Sequence, residues 1–278
     1  MILTVTLNPA IDVTYRVASI VLGEAHRVSD VDTRAGGKGV NVANVLTQLG
    51  EPVTMTGLGG TGFPLMQDFF PIGGACRRTL VVTDGIDGTG FWEPGPQVTA
   101  AEWSGFLDHY TALLTWSEAR VVVLSGSLPP GLPEVAYARL IDIAHAHGAR
   151  SILDTSGAPL RLGLVAEPDL IKPNAREMGD VVGASRRTTI VASKGPDGLE
   201  ATTADGVFVV RPPRPIAGNP TGAGDACVAA LARGLRDGTA WPALLADAVA
   251  LSAAAVAAPV AGTFDHDLYL QIRTEINP

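Results

Sequence analysis

The chain has 278 residues, of which 46% are hydrophobic and 17% charged, a length that suits one large domain and a composition that excludes global disorder. A net charge of −8 with no run of Lys or Arg leaves no basic face for a nucleic-acid backbone. The most apolar stretch, Ala248–Ala258, lies between Asp247 and Pro259 and is shorter than the roughly 20 residues of a membrane span, so neither nucleic acid nor a membrane is an expected partner.

The opening MILTVTLNPAID has no positively charged stretch ahead of its apolar run and reads as a buried first strand, Ile2–Leu7. Cys76 and Cys227 belong to no CxxC or Cys/His cluster, which points to a reducing cytoplasm. Further apolar or β-branched runs follow at Val53–Thr56, Val121–Leu124, Ile152–Leu153, Leu170–Ile171 and Thr189–Ala192. Helical patterns fall at Val40–Leu49, Ala101–Trp116, Glu134–His147, Ala226–Arg236, Trp241–Ala257 and Asp265–Thr274. That alternation predicts an α/β fold with a mostly parallel central sheet and helices on both faces. Two stretches depart from it. Thr14–Val17 with Ala25–Val31, and Arg78–Thr83 with Gly88–Trp92, are short strand candidates with no helix between them. They predict a small antiparallel lid built from two insertions, at about 12–34 and 77–97, in a single domain spanning 1–278. A hairpin, Leu199–Thr203 with Val207–Val210, extends the edge of the main sheet.

In a parallel sheet the ligand crevice lies outside the carboxyl ends of the strands. Here those ends run into Asn8-Pro9, Ser125-Gly126-Ser127, Asp154-Thr155-Ser156, Lys172-Pro173-Asn174 and Ser193-Lys194-Gly195. Ordinary turn chemistry explains any one of them, but together they favour a shared crevice. The strongest signal is Asn219-Pro-Thr-Gly222-Ala223-Gly224-Asp225, followed at once by a small-residue helix. Glycines and the open N–H groups of a helix start suit a phosphate. Asp225 reads either as a plain N-cap or as a carboxylate, ionised at neutral pH, that accepts a proton from a hydroxyl attacking a phosphoryl group.

A second glycine cluster, Gly36-Gly37-Lys38-Gly39, opens the helix that carries Asn41. Lys38 beside a positive helix end is unfavourable unless an anion sits there; otherwise it is a solvated loop lysine. Arg27 and the Arg77-Arg78 pair, on the lid segments, can bring further positive charge to the same place or stand as plain surface arginines. Asn174 with Glu177 has capping-box spacing. Ser193-Lys194-Gly195-Pro-Asp-Gly198 is either a turn or a set of backbone donors for a nucleotide phosphate. Gly57-Leu-Gly59-Gly-Thr-Gly62 matches the dinucleotide spacing GxGxxG, but Phe63 and Pro64 follow in place of a helix. There is no P-loop or GxSxG elbow, and His145 and His147 are too closely spaced to share a helix face as metal ligands.

Taken in order, Leu7-Asn8-Pro9-Ala10-Ile11-Asp12, Gly36-Gly37-Lys38-Gly39-Val-Asn41-Val-Ala, Glu93-Pro-Gly-Pro, Ser125-Gly-Ser-Leu-Pro-Pro-Gly131, Lys172-Pro-Asn174 with Glu177, Ser193-Lys-Gly195 with Gly198, and Thr221-Gly-Ala-Gly-Asp225 resemble the ribokinase-like (PfkB) carbohydrate kinases. The likeness is greatest to the branch that contains 1-phosphofructokinase and tagatose-6-phosphate kinase, and it covers nearly the whole chain. It implies Mg²⁺-dependent transfer of the ATP γ-phosphoryl group to a hydroxyl of a sugar phosphate, with Asp225 as base and Gly222, Ala223 and Gly224 as the anion hole. By the same resemblance Asp12, Gly37 and Asn41 grip sugar hydroxyls, while Lys38, Arg27 and Arg77 bind the substrate phosphate. Asn174 and Glu177 act on Mg²⁺ and the ATP phosphates through water, and Ser193, Gly195 and Gly198 form the nucleotide loop. A homodimer through the lid is also implied. Where members carry a crossover helix and another strand, this chain has only Phe63–Ile72, and a second helix is missing between Val182 and Thr188. Three other readings follow: a kinase of an unphosphorylated sugar or nucleoside, a catalytically silent sugar-phosphate or nucleotide binder, and an NAD-linked oxidoreductase resting on Gly57–Gly62.

Overall fold

The computed structural model describes residues 1–64, 67–84 and 88–276. Residues 65 and 66 of the shortened crossover and 85–87 of the second lid insertion lie outside the described residues. In chain order, β1 (Ile2–Thr6) is followed by β2 (Ala10–Arg16), β3 (Asp30–Gly36), α1 (Lys38–Gln48), β4 (Val53–Thr61), β5 (Phe70–Ala75), β6 (Arg77–Thr83) and β7 (Gly88–Trp92). Then come α2 (Ala100–Ser117), β8 (Val121–Ser125), α3 (Ala136–Ala146), β9 (Arg150–Asp154), α4 (Gly157–Gly163), β10 (Leu170–Ile171) and β11 (Thr189–Ser193). The hairpin β12 (Leu199–Thr203) and β13 (Gly206–Val210) leads to α5 (Ala223–Asp237), α6 (Trp241–Val256) and α7 (His266–Glu275).

Nine strands form the central sheet in the order β13-β12-β11-β10-β9-β8-β1-β4-β5. All pairings from β5 to β11 are parallel, and only the β12–β13 hairpin adds antiparallel strands at one edge. β1 and β8 are buried along their whole length, as strands covered by helices on both faces must be. One core layer joins the sheet to α1, α5, α6 and α7; the other holds Phe106, Tyr110 and Tyr137 of α2 and α3. The alanine-rich stretch near 250 is buried within the protein as α6, and among the described residues no helix is long and apolar enough to cross a membrane. α5 needs its small residues for packing as well: a Cβ on Gly234 would lie 2.6 Å from the Leu244 side chain of α6.

The lid is a four-stranded sheet in the order β3-β2-β6-β7. Its two hairpins are antiparallel, and the two insertions meet through a parallel β2–β6 pair. β3 occupies Asp30–Gly36, further along than Ala25–Val31, because its Asp-Val-Asp-Thr-Arg-Ala-Gly alternation serves a polar cleft face that hydrophobic patterning does not reveal. Among its described residues the shortened crossover carries no helix, but it keeps a strand. β5 remains, parallel to β4, and Phe63 and Phe69, ring centroids 4.9 Å apart, pack with Val40 and Cys76 as a small local core. Between β10 and β11 a single 3₁₀ turn, Glu177–Asp180, is the only helical element, as the missing helix implied.

Candidate active site

The carboxyl ends of β9, β10 and β11, the starts of α1 and α5 and the inner face of the lid enclose a cleft of about 1230 Å³. At its floor the chain turns into α5 through Gly222, whose φ of 90° is in the glycine-favoured region and where a Cβ would lie 2.7 Å from Ala261. Gly222 is the N-cap, so Asp225 is the third helical residue and the plain N-cap reading of Asp225 fails. Gly222, Gly224 and Asp225 line the cleft. Ala223 does not: its N–H donates to the Pro220 carbonyl at 3.2 Å and its carbonyl accepts the Ser252 hydroxyl at 3.0 Å. Gly222 and Gly224 thus face the cleft, while Ala223 is turned into the structure.

Asp225 is buried and accepts a hydrogen bond from Asn41 Nδ2 at 2.8 Å. Burial, with the nearby Asp154 carboxylate, raises its pKa to about 6 against the pull of Lys38, Asn41 and Lys172. Burial thus outweighs the two lysines and Asn41 and moves the group towards the range of a working general base. Asn41, expected at the sugar hydroxyls, lines the cleft and also donates to Asp225.

Beneath Asp225, the wholly buried Asp154 meets the ammonium groups of Lys38 and Lys172, each at 3.3 Å. Burial opposes the charge on Asp154, but Lys172 and Lys38 overcome it and hold the carboxyl below its usual range. Asp154 in turn raises Lys38 against the effect of burial. Lys38, with its side chain 40% exposed, also lines the cleft and so joins the buried Asp154 to the open site. Lys172 Nζ lies 3.5 Å from the position a Gly224 Cβ would take, so the absence of that side chain sets a buried cation beside the helix start.

On the lid, β2 sets Asp12 level with Arg34 of β3 and Thr79 of β6. The Thr79 hydroxyl donates to Asp12 Oδ1, and Arg34 Nη2 stands 4.0 Å from Oδ2. Gly36 leaves room for that carboxylate, since a Cβ there would lie 2.1 Å from Asp12 Cγ. Gly37, at φ 115°, starts α1 against β1, where a Cβ would meet Thr6 Cγ2 at 2.8 Å. Arg77 lines the cleft, braced by Nε on the Asn8 carbonyl at 3.1 Å and Nη1 on the Glu93 carbonyl at 3.3 Å. Arg78 points away and forks onto Glu93. Arg27 is exposed on the segment between β2 and β3 and does not line the cleft of its own chain.

Asn174 and Glu177 form the reciprocal turn that their spacing predicts: Asn174 Oδ1 accepts the Glu177 N–H at 3.1 Å, and Glu177 Oε2 accepts the Asn174 N–H at 2.9 Å. Asn174, Ser193 and Gly195 line the cleft; Glu177 and Gly198 do not. Gly198, φ 88°, closes the β11–β12 hairpin, where a Cβ would lie 2.1 Å from the Val210 carbonyl oxygen. Gly57, Gly59 and Gly60 are residues of β4, and a Cβ on Gly57 would lie 1.9 Å from the Thr6 carbonyl oxygen, so these glycines serve strand packing and form no dinucleotide turn. His145 hydrogen-bonds Ser151 and Asp169, and His147 its own helix at Ile143, both away from the cleft.

The sequence reasoning missed Arg34 and Trp92 and gave Asp154 and Lys172 no role. Period-two alternation in β3 with Asp12 in register would have found Arg34. Six cationic side chains, Arg34, Lys38, Arg77, Lys172, Arg176 and Lys194, face four carboxylates, Asp12, Asp154, Asp197 and Asp225, in the cleft wall. That is an excess of two positive charges in a chain of net −8, which suits an anionic ligand.

Among solved structures, the chain is similar to phosphofructokinase-2 of Escherichia coli in complex with fructose-6-phosphate, at 25% identity and TM-score 0.86 over 99% of this chain and 98% of that one. The tetrameric inhibited form of that enzyme gives 25% identity, TM-score 0.87 and the same coverage. A possible 1-phosphofructokinase of Thermotoga maritima matches at 25% identity and TM-score 0.86, again over 99% and 98% of the two chains. In fold alone, ribokinase of Arabidopsis thaliana, solved with ribose and ATP, aligns at TM-score 0.74 with 18% identity over 98% of each chain. The model of the pfkB family carbohydrate kinases matches residues 5–267. That span takes in the lid, the cleft and the α5 loop together, and the chain belongs to the pfkB family of carbohydrate kinases.

Proposed function

We propose that the chain is an ATP-dependent phosphosugar kinase, acting as one domain over 1–278 and transferring the γ-phosphoryl group to a hydroxyl of a ketohexose phosphate. Fructose 1-phosphate and tagatose or fructose 6-phosphate are the acceptors of first choice. The observation that carries this reading is Asp225, a buried carboxylate with a pKa near 6, held by Asn41 at the open start of α5. In the step proposed, the acceptor hydroxyl gives its proton to Asp225 as its oxygen bonds to the γ-phosphorus; the bond from that phosphorus to the β–γ bridging oxygen breaks, and ADP leaves. Gly222 and Gly224 offer backbone N–H groups to the phosphoryl oxygens, and Lys172 adds a fixed positive charge. The lid excludes water, which would otherwise take the phosphoryl group.

Among the described residues no cluster of three His, Cys, Asp or Glu could hold a metal. In this reading Mg²⁺ arrives on the triphosphate, with the Asn174–Glu177 turn beside the cleft to act on it. Glu177, with Oε2 already on the Asn174 N–H, would reach it through water. When bound, Mg²⁺ neutralises charge on the transferring group. Asn174, Ser193 and Gly195 supply the nucleotide side. The substrate phosphate falls to Lys38, Arg77 and Arg34, the cations of the lid and the α1 start that line the cleft, while Arg27 stands outside it. Fructose-6-phosphate in the complex of E. coli phosphofructokinase-2 supports a phosphorylated acceptor. A dimer through the lid is supported by lid residues that do not line the cleft, where Leu80 and Phe91 share one row and Tyr15, Val31 and Val82 the next, with Val31 and Phe91 exposed.

The test is ADP release with MgATP and a panel of fructose 1-phosphate, fructose 6-phosphate, tagatose 6-phosphate, fructose and ribose. The reading expects one phosphosugar to be turned over well above both free sugars. Preference for a free sugar would move the function to an unphosphorylated acceptor. Binding without turnover would make the chain a silent relative.

A further inference from the structure

Across the inner face of the lid, one row runs Arg34, Asp12, Thr79, Trp92, each residue in register with the next. The first three offer charge and hydrogen bonds. Trp92 closes the row with a large apolar surface, lines the cleft and is 70% exposed. An indole left in water at the wall of a binding cleft gains free energy when a ligand covers it.

The local backbone keeps the ring in place. Gly90 lies two residues back on the same face of β7, and a Cβ there would stand 2.6 Å from Trp92 Cη2 and 2.8 Å from Cζ2. The ring is therefore laid along the strand over a residue with no side chain, on a strand whose partner β6 also carries Thr79. The hydroxyl-bearing edge of a sugar meets carboxylate, hydroxyl and guanidinium groups, and its C–H face needs a flat apolar surface. This row provides both within one sheet.

The geometry points to Trp92 as the platform on which the sugar ring of the acceptor rests, and so as a determinant of which sugars are accepted. The inference rests on the phosphosugar-kinase reading for its substrate class. It makes Trp92 a binding residue with no part in proton or phosphoryl transfer.

The experiment compares wild type with Trp92→Phe, Trp92→Ala and Gly90→Ala. It measures steady-state kinetics for fructose 1-phosphate, fructose 6-phosphate and tagatose 6-phosphate, and tryptophan emission titrated with the same three sugars. Trp92→Ala should raise the acceptor KM about tenfold, the loss of a well-placed aromatic contact, with kcat and the KM for ATP moving far less. Trp92→Phe should restore most of the affinity. Gly90→Ala, which keeps the indole but displaces it, should fall between them. At least one sugar should quench wild-type emission, and Trp92→Phe should remove that signal although Trp103, Trp116 and Trp241 remain. An unchanged acceptor KM in Trp92→Ala, a rise confined to the KM for ATP, or the absence of quenching by all three sugars would overturn the platform. Quenching through Trp92 without turnover would retain the platform and refute the kinase reading; turnover indifferent to Trp92 would do the reverse.

Discussion

Replacement of Asn41 by Ala separates two roles for the same side chain. The resemblance gives Asn41 to the sugar, but the structure places its Nδ2 2.8 Å from Asp225 Oδ2. A hydrogen bond to a charged group contributes about 1.5–3 kcal/mol, and one pKa unit corresponds to 1.36 kcal/mol. Loss of the bond should therefore raise the Asp225 pKa by about 1–2 units, from about 6 to roughly 7–8. The base must be ionised to act, so kcat/KM of wild type should fall about tenfold per pH unit below its midpoint near 6. In Asn41→Ala that limb should move up, cutting activity at pH 7 by about two- to tenfold and restoring most of it at pH 9. The assay is kcat/KM for the best phosphosugar between pH 5 and 9.5, with thermal melts to confirm folding. A uniform loss at every pH, with the limb unmoved, would refute the positioning role and return Asn41 to the sugar.

Asp225→Asn should abolish most turnover yet stabilise the fold at neutral pH. The carboxyl binds its proton more tightly folded, about 6, than its ordinary value of 3.8. Stability is thus lost as pH rises between those values, and the whole penalty, up to about 3 kcal/mol, is present above 6. Melts at pH 8 should show the variant more stable and melts at pH 4 should not; equal melting at both would contradict the raised pKa. Gly36→Ala places a Cβ 2.1 Å from Asp12 Cγ, so the acceptor KM should rise at least tenfold with little change for ATP, and a normal acceptor KM would remove Asp12 from the sugar site. Val31→Asp with Phe91→Asp puts charges on the exposed outer face of the lid; under the lid-dimer proposal sedimentation should show the wild type as dimers and the variant as monomers, and an unchanged distribution would place the interface elsewhere.

The parallel sheet was legible because its strands, buried on both faces, read as continuous apolar runs: Leu170–Ile171 appears in the structure with the predicted bounds, and Val121–Leu124 as β8, while the antiparallel Leu199–Thr203 was legible from its hairpin turn. β5 and α4 were not, since Phe-Pro-Ile-Gly-Gly-Ala and Gly-Ala-Pro-Leu-Arg-Leu-Gly carry glycines and prolines that weaken both propensity and periodicity. The site divides along the same line. Backbone features such as the Gly222 turn and the Asn174–Glu177 box follow from local chemistry and were readable. Lys38 on Asp154 and Asn41 on Asp225 join residues 116 and 184 positions apart, and no local spacing reports which of two long-range partners a side chain will take.

The central claim, phosphoryl transfer to a phosphosugar with Asp225 as base, is tested most directly by ³¹P NMR of wild type and Asp225→Asn incubated with MgATP and the acceptor panel. The account predicts that wild type forms ADP and a sugar bisphosphate in equal amounts and that Asp225→Asn forms neither at a comparable rate. ADP accompanied only by inorganic phosphate, or a bisphosphate formed equally fast by Asp225→Asn, would contradict it.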